Sequence, residues 1–189
     1  MNRIPPILLL IGALAAALPG PGCSTLPDQD YLAQRAADTR AATEARAEIR
    51  VMLADLTLAQ SVGNVEALVA LYSRDATWMP PGRPPLEGRE AIGGAYAERL
   101  AFFEVGLELD VARIAVHGDG GQVDGWANLS LTSRATGEVS TERNHFRMVV
   151  ERDSEARWRI RHLEWRPWSA LQPPAPPAED AAGDEAGES

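Results

Sequence analysis

The sequence predicts an α+β domain in which about three N-terminal helices come first and a curved antiparallel sheet wraps around them as a cone. Three observations predict it. Apolar residues recur at helical spacing through the first half of the domain, they alternate after Phe103, and short Gly- or Asp-bearing turns join the alternating runs. Helices followed by a run of strands is the order of an α+β domain, not of alternating βα units.

The first helical segment covers residues 28–62 and is rich in Ala, Arg, Glu and Leu, all good helix formers except at caps. Up to Arg46 it holds few large apolar residues and reads as an exposed helix or stalk. Beyond that, Ile49, Leu53, Leu56, Ala59 and Gln60 repeat at helical spacing with Met52 beside them, and Gly63 supplies a C-cap. A second helix is expected where Asn64 caps a stripe of Val65, Leu68, Val69 and Tyr72. Ser73-Arg74-Asp75 reads as a turn, with Asp75 better suited to capping it than to acid chemistry. Ala76-Thr77-Trp78-Met79 is a short extended run ended by Pro80 and Pro81, which lack backbone donors. After a stiff Pro/Gly loop, Gly88 precedes a third helix carrying Ile92, Ala95, Tyr96, Arg99, Leu100 and Phe103 on one stripe, with Arg89 and Glu90 at its start given structural roles.

In the sheet half, Leu107, Leu109 and Val111 share one phase while Ile114 and Val116 take the other, so a bulge is expected near Ala112-Arg113. Turns at residues 117–121, 135–137 and 153–156 then join strands over residues 123–134, 138–152 and 157–168. A sheet bent by such a bulge can close over the helices and leave a conical pocket.

The ends of the chain differ from its middle. Residues 1–22 carry Arg3 and an apolar run from Ile7 to Leu18, the pattern of a signal peptide and too short for a membrane span. Cys23 is the single cysteine, so no internal disulfide can form. Residues 169–189 are Pro/Ala-rich and acidic and read as a disordered tail; their five acids supply more than half of the formal charge of −9. The folded part is therefore only mildly acidic, and with no basic excess it is not expected to bind nucleic acid. There is no phosphate-binding loop, dinucleotide fingerprint or zinc spacing, so neither a cofactor nor a metal is expected.

Two resemblances sharpen this reading. Gly22-Cys23-Ser24 after an apolar run resembles a bacterial lipoprotein cleavage site, which implies lipidation of Cys23 and anchoring in the cell envelope of an exported protein; residues 23–43 would then be linker and stalk, and residues 44–168 the domain. The run Y-x-x-D-A-T-W … P-P-x-x-G-R-E-A-I, within a likeness spanning residues 48–168, resembles the nuclear transport factor 2-like superfamily, in the branch of ketosteroid isomerases and SnoaL-like cyclases. That likeness implies the cone fold, a homodimer and a small hydrophobic ligand. It does not imply an activity, because one fold hosts many. In the isomerases, chemistry needs a carboxylate base and an oxyanion hole of a Tyr and a protonated Asp. By the resemblance the oxyanion Asp position falls on Asn144, an amide that can still donate. The Tyr position falls on Leu56 and the base position close to Pro80, so an isomerase of the usual kind is not expected; Tyr72 and Tyr96 match supporting tyrosines.

The residues themselves nominate a site. Alternation places Asn144 with Phe146, Met148 and Val150 facing inward and His145 outward, on a surface or dimer face. On the last strand, Trp158 and Ile160 suggest an inward phase that would carry His162 and Glu164 into the pocket, where a His beside a carboxylate can act as a base; Leu163 and Trp165 favour the opposite phase at the strand end. Trp78, Trp126 and Trp165 are candidates to line the cavity, or else plain core. The candidate set is thus His162 and Asn144 for chemistry, and Tyr72, Trp78, Tyr96, Trp126, Asn144, Phe146 and Trp165 for the pocket. Two functions fit: a lipid-anchored domain binding a small hydrophobic molecule, or a non-enzymatic dimerisation or cell-envelope interaction module docking through its outer sheet face near His145 and Arg147.

Overall fold

A computed structural model describes residues 28–171, and Cys23, the signal-like run and the acidic tail lie outside them. By internal contacts the chain divides at Ala37/Asp38. Residues 29–37 form the first turns of helix α1 (Gln29–Ser61), and they and Asp28 are all exposed. From residue 38 the chain builds the domain, in the order α1, α2 (Val65–Ala70), β1 (Tyr72–Met79), β2 (Leu86–Glu87), α3 (Gly88–Phe102), β3 (Phe103–His117), β4 (Gly120–Ser133), β5 (Val139–Arg152), β6 (Trp158–Pro167) and a closing 3-10 turn at Trp168–Leu171.

Burial on α1 begins at Ala45 and continues through Ile49, Met52, Leu53, Leu56, Ala59 and Gln60, the stripe expected from the spacing. The helix stops because Gly63 adopts φ +71. Its amide and that of Asn64 then return to the carbonyls of Gln60 and Ala59 at 3.2 and 2.8 Å, closing the last turn. The Asn64 side chain in turn accepts from the Ala67 amide at 2.9 Å and starts α2.

The six strands form one curved, unclosed sheet in the order β2-β1-β6-β5-β4-β3. Strands β3 to β6 are an antiparallel meander, whereas β1 runs parallel to β6, so the sheet is mixed and not wholly antiparallel as expected. No short turn links β1 to β6, which leaves the direction of that pairing to tertiary packing. The bulge expected in β3 lies between Val111 and Arg113, facing Gly125 and Asp124 on β4. One face of the meander buries Val105, Val123, Ala127, Phe146, Met148 and Ile160 in a single core with the α1 stripe. Glu48 of α1 is hydrogen-bonded at 2.5 Å by Arg152 and at 2.9 Å by the Trp158 indole, joining the helix to β5 and β6.

Three local expectations change. Tyr72 opens β1 instead of closing α2, and Ser73-Arg74-Asp75 is strand, not turn. Asp75 therefore caps nothing; it is exposed and ion-paired with Arg161 at 3.1 Å. Phe103 starts β3 instead of continuing α3. Arg89 does serve structure, donating to the Tyr72 carbonyl from Nε and Nη2 at 2.8 and 2.5 Å.

Candidate functional site

The site grows from Trp78. Alternation along β1 buries it with Ala76, and Pro80 ends the strand one residue after Met79, so the indole sits at the rim of the core. Helix α3 brings Tyr96 and Arg99, one turn apart, to the same place. The Tyr96 ring stacks on Trp78 with centroids 4.9 Å apart and planes 13° apart. The Arg99 guanidinium lies over the Trp78 ring at 5.3 Å, a cation–π contact. Trp165 of β6 meets Trp78 edge-on at 6.4 Å. Behind them, the hydroxyls of Tyr72 and Tyr96 share a buried hydrogen bond of 2.7 Å. Burial pushes both phenols above their ordinary pKa, Tyr72 far above, so both stay neutral.

A pocket of about 240 Å³ opens beside this cluster. Trp78, Pro80, Pro81, Arg83 and Leu86 form one wall, and Ala95, Glu98, Arg99 and Phe102 of α3 another. Phe103, Leu131 and Glu142 close it on the sheet side. Arg83 and Glu98 pair at 2.9 Å across the rim. Their hydrogen bond lowers the Glu98 pKa and raises that of Arg83.

Five buried side-chain polar atoms among the described residues lack a hydrogen-bond partner: Gln60 Nε2, Trp78 Nε1, Arg99 Nη1, Asn144 Nδ2 and Trp165 Nε1. All five are donors, and those of Trp78, Trp165 and Arg99 belong to residues that touch around the Trp78 ring. A buried donor without an acceptor in the protein costs free energy.

Of the pocket residues nominated from sequence, Trp78 alone lines this pocket. Tyr72, Tyr96, Phe146 and Trp165 are buried inward as expected, but they fill the cone behind it. Asn144 is inward too, 2% exposed, yet it is not part of the pocket wall. Trp126 is a correction. Its neighbours Gly125 and Ala127 take the inward phase, so Trp126 lies half-buried on the other face, edge-on to His145 at 5.2 Å and Trp168 at 5.3 Å, with Arg143 over its ring at 4.8 Å. His145 takes the outward phase expected of it.

His162 is the second correction. Val149 pairs with His162 but Val150 with Ile160, so Arg161 is an extra residue in β6 and the phase flips there. Leu163 and Trp165 are buried, whereas His162 and Glu164 lie half-buried on the opposite face, where Glu164 pairs with Arg166 at 2.7 Å. They do not enter the pocket. Of the positions carried over from the isomerases, Leu56 is core and Asn144 is off the pocket, while Pro80 is in its wall. Among the described residues no group of His, Cys, Asp and Glu is placed to hold a metal ion.

Sequence reading passed over Arg99 and Glu142. For Arg99 the signal was present: a cation on the otherwise apolar stripe of α3, between Tyr96 and Phe103.

A curved sheet folded over N-terminal helices, with a pocket between α3 and the sheet, defines a class of α+β cone domains. The family model of the SnoaL-like domain matches residues 41–164, and the chain belongs to that family, within the nuclear transport factor 2-like superfamily. Solved structures carry the same fold at low identity. A conserved protein from Planctomyces limnophilus superposes with a TM-score of 0.62 at 17% identity, over 66% of this chain and 98% of that one. A ketosteroid isomerase-like protein from Erwinia carotovora atroseptica gives 0.58 at 19%, over 67% and 96%. A nuclear transport factor 2-like protein with a cystatin-like fold from Novosphingobium aromaticivorans gives 0.59 at 22%, over 78% and 99%.

Proposed function

We propose that this chain is an exported, lipid-anchored SnoaL-like domain that binds a small hydrophobic molecule in the pocket between α3 and the sheet. The observation that carries the reading is the make-up of the pocket wall: apolar Pro80, Pro81, Leu86, Ala95, Phe102 and Leu131 beside the polar side chains of Arg99 and Glu142. Apolar walls with a few convergent polar groups are the make-up of a small-molecule site. The reading is one of binding, because Leu56 and Pro80 offer no proton-transfer group and His162 faces away.

The test uses the full-length protein purified from its native host, with mass spectrometry of small molecules released on denaturation. A bound molecule in the wild type, lost in Ala95→Phe while the circular dichroism spectrum is unchanged, supports the pocket. A bound molecule retained in Ala95→Phe places it elsewhere and refutes this site. Anchoring rests on Gly22-Cys23-Ser24 after the apolar run. Cys23→Ser is expected to move the protein from the membrane to the soluble fraction, and a wild-type N-terminal peptide without a lipid mass overturns this part.

The outer sheet face favours a second reading, a dimerisation or envelope-docking module. Trp126, His145, Arg143 and Trp168 form an aromatic and cationic patch there, with Trp168 44% exposed. Aromatic residues and Arg are enriched where interfaces form. Cross-linking of the full-length protein should capture a homodimer that Trp126→Glu disrupts; a monomer at all concentrations speaks against it.

A further inference from the structure

We infer that the pocket is selective for a carboxylate, and that its ligand is a small one-ring acid held by Arg99. This rests on the pocket reading above and specifies its ligand class. Arg99 is a pocket-lining cation whose side chain forms no ion pair and no hydrogen bond among the described residues. Its guanidinium lies over the Trp78 ring, and its Nη1 is sealed from solvent without an acceptor. The adjacent carboxylate, Glu98, does not serve it, because it is turned to Arg83 at 2.9 Å.

A half-buried guanidinium in a pocket wall, with no anion of the protein beside it, is best compensated by an anionic ligand. A carboxylate matches its fork better than any neutral group does. The Trp78 ring of the same wall backs the guanidinium through the cation–π contact. The rest of the wall sets the remainder of the ligand. Pro80, Pro81, Leu86, Ala95, Phe102 and Leu131 give it an apolar body, and about 240 Å³ is below the usual span of drug-sized sites, which suits a single ring. Glu142 lines the pocket without an ion pair among the described residues, so a second acid on the ligand is disfavoured while a hydroxyl or amine would meet an acceptor.

The experiment titrates full-length protein with matched pairs, benzoate against benzamide and phenylacetate against phenylacetamide, by calorimetry with saturation-transfer NMR for weak binders. It compares wild type, Arg99→Met and Glu142→Gln. The expected result is that each acid binds the wild type at least about tenfold more tightly than its amide. Arg99→Met is expected to bring that ratio near one, and Glu142→Gln, which removes an anion from the wall, to raise it. Because the ratio is read within one variant, a general loss of stability cancels. An acid-to-amide ratio near one in the wild type, or a preference surviving Arg99→Met, overturns the inference and leaves the pocket standing. Failure of all four probes beside a native molecule that Ala95→Phe displaces overturns the ligand class alone. Failure of the probes with no native molecule overturns both.

Discussion

Tyr72 and Tyr96 each lack solvent, and each hydroxyl has the other as its partner at 2.7 Å. Tyr72→Phe leaves the Tyr96 hydroxyl buried alone and is expected to cost about 1 to 3 kcal/mol at pH 7. The pair also sets an alkaline limit. Both folded pKa values are raised, chiefly by burial, so the neutral phenols are favoured by the fold. As pH rises through the ordinary tyrosine value of about 10, the unfolded chain loses protons that the folded chain keeps, and stability falls. Urea midpoints at pH 9 and pH 11 should differ less in Tyr72→Phe than in the wild type. At this scale the sequence was informative about facing and silent about partners. The inward positions of Tyr96, Phe146 and Asn144 follow from period alone. That the Arg99 cation lacks a carboxylate does not, because Glu98 and Glu142 lie near it in the fold and only side-chain geometry separates them from it.

Elements were legible where a turn or cap fixes them and misread where an irregularity intervenes. The β3 bulge announced itself by a phase change among large apolar residues. The β6 bulge at Arg161 did not, since Ile160 and Leu163 flank two polar residues that hide the slip, and the sequence left the facing of His162 open between two phases. At the first bulge the partner strand is equally constrained. A Cβ on Gly125 would collide with the Asp110 carbonyl and come within 2.9 Å of the Phe146 ring. Gly125→Ala is therefore expected to destabilise by about 2 to 3 kcal/mol or to abolish folding, measured by chemical denaturation. The β5–β6 turn has a different anchor. The Asp153 carboxylate accepts from the amides of Arg157 and Glu155 at 2.9 Å and from Arg159 Nε at 2.8 Å. These hold its pKa well below the usual carboxylate range, the Arg157 amide contributing most. A depressed folded pKa gives stability that is complete above the unfolded value of about 3.9 and lost as pH falls below it. The thermal midpoint of the wild type should thus drop more steeply between pH 5 and pH 3 than that of Asp153→Asn, and parallel curves would refute the assignment.

For the molecule as a whole, the cone is filled deeply and left open at one end. Trp78, Tyr72, Tyr96, Phe146 and Trp165 occupy the interior that a larger ligand would need, and the remaining space lies where α3, the β1–β2 loop and the sheet meet. A ligand there touches α3, the β1–β2 loop and the sheet at once, a juxtaposition that only folding creates, so it binds the folded state and not the unfolded chain. Linkage then requires stabilisation: at a ligand concentration of about 100 times Kd the gain is about 2.7 kcal/mol. For a domain of this size that is a rise of roughly 5 to 10 °C in thermal midpoint. The rise should vanish in Ala95→Phe, which fills the site. For an acid ligand it should also fade below the ligand's own pKa, where the carboxylate that meets Arg99 is neutral. Repeating the acid series in Asp153→Asn separates that fading from the turn's own titration, because the variant lacks the group at the turn and keeps the pocket. A midpoint shift that persists in Ala95→Phe would place the ligand outside the cone, on the outer face where Trp126 and Trp168 stand half-exposed.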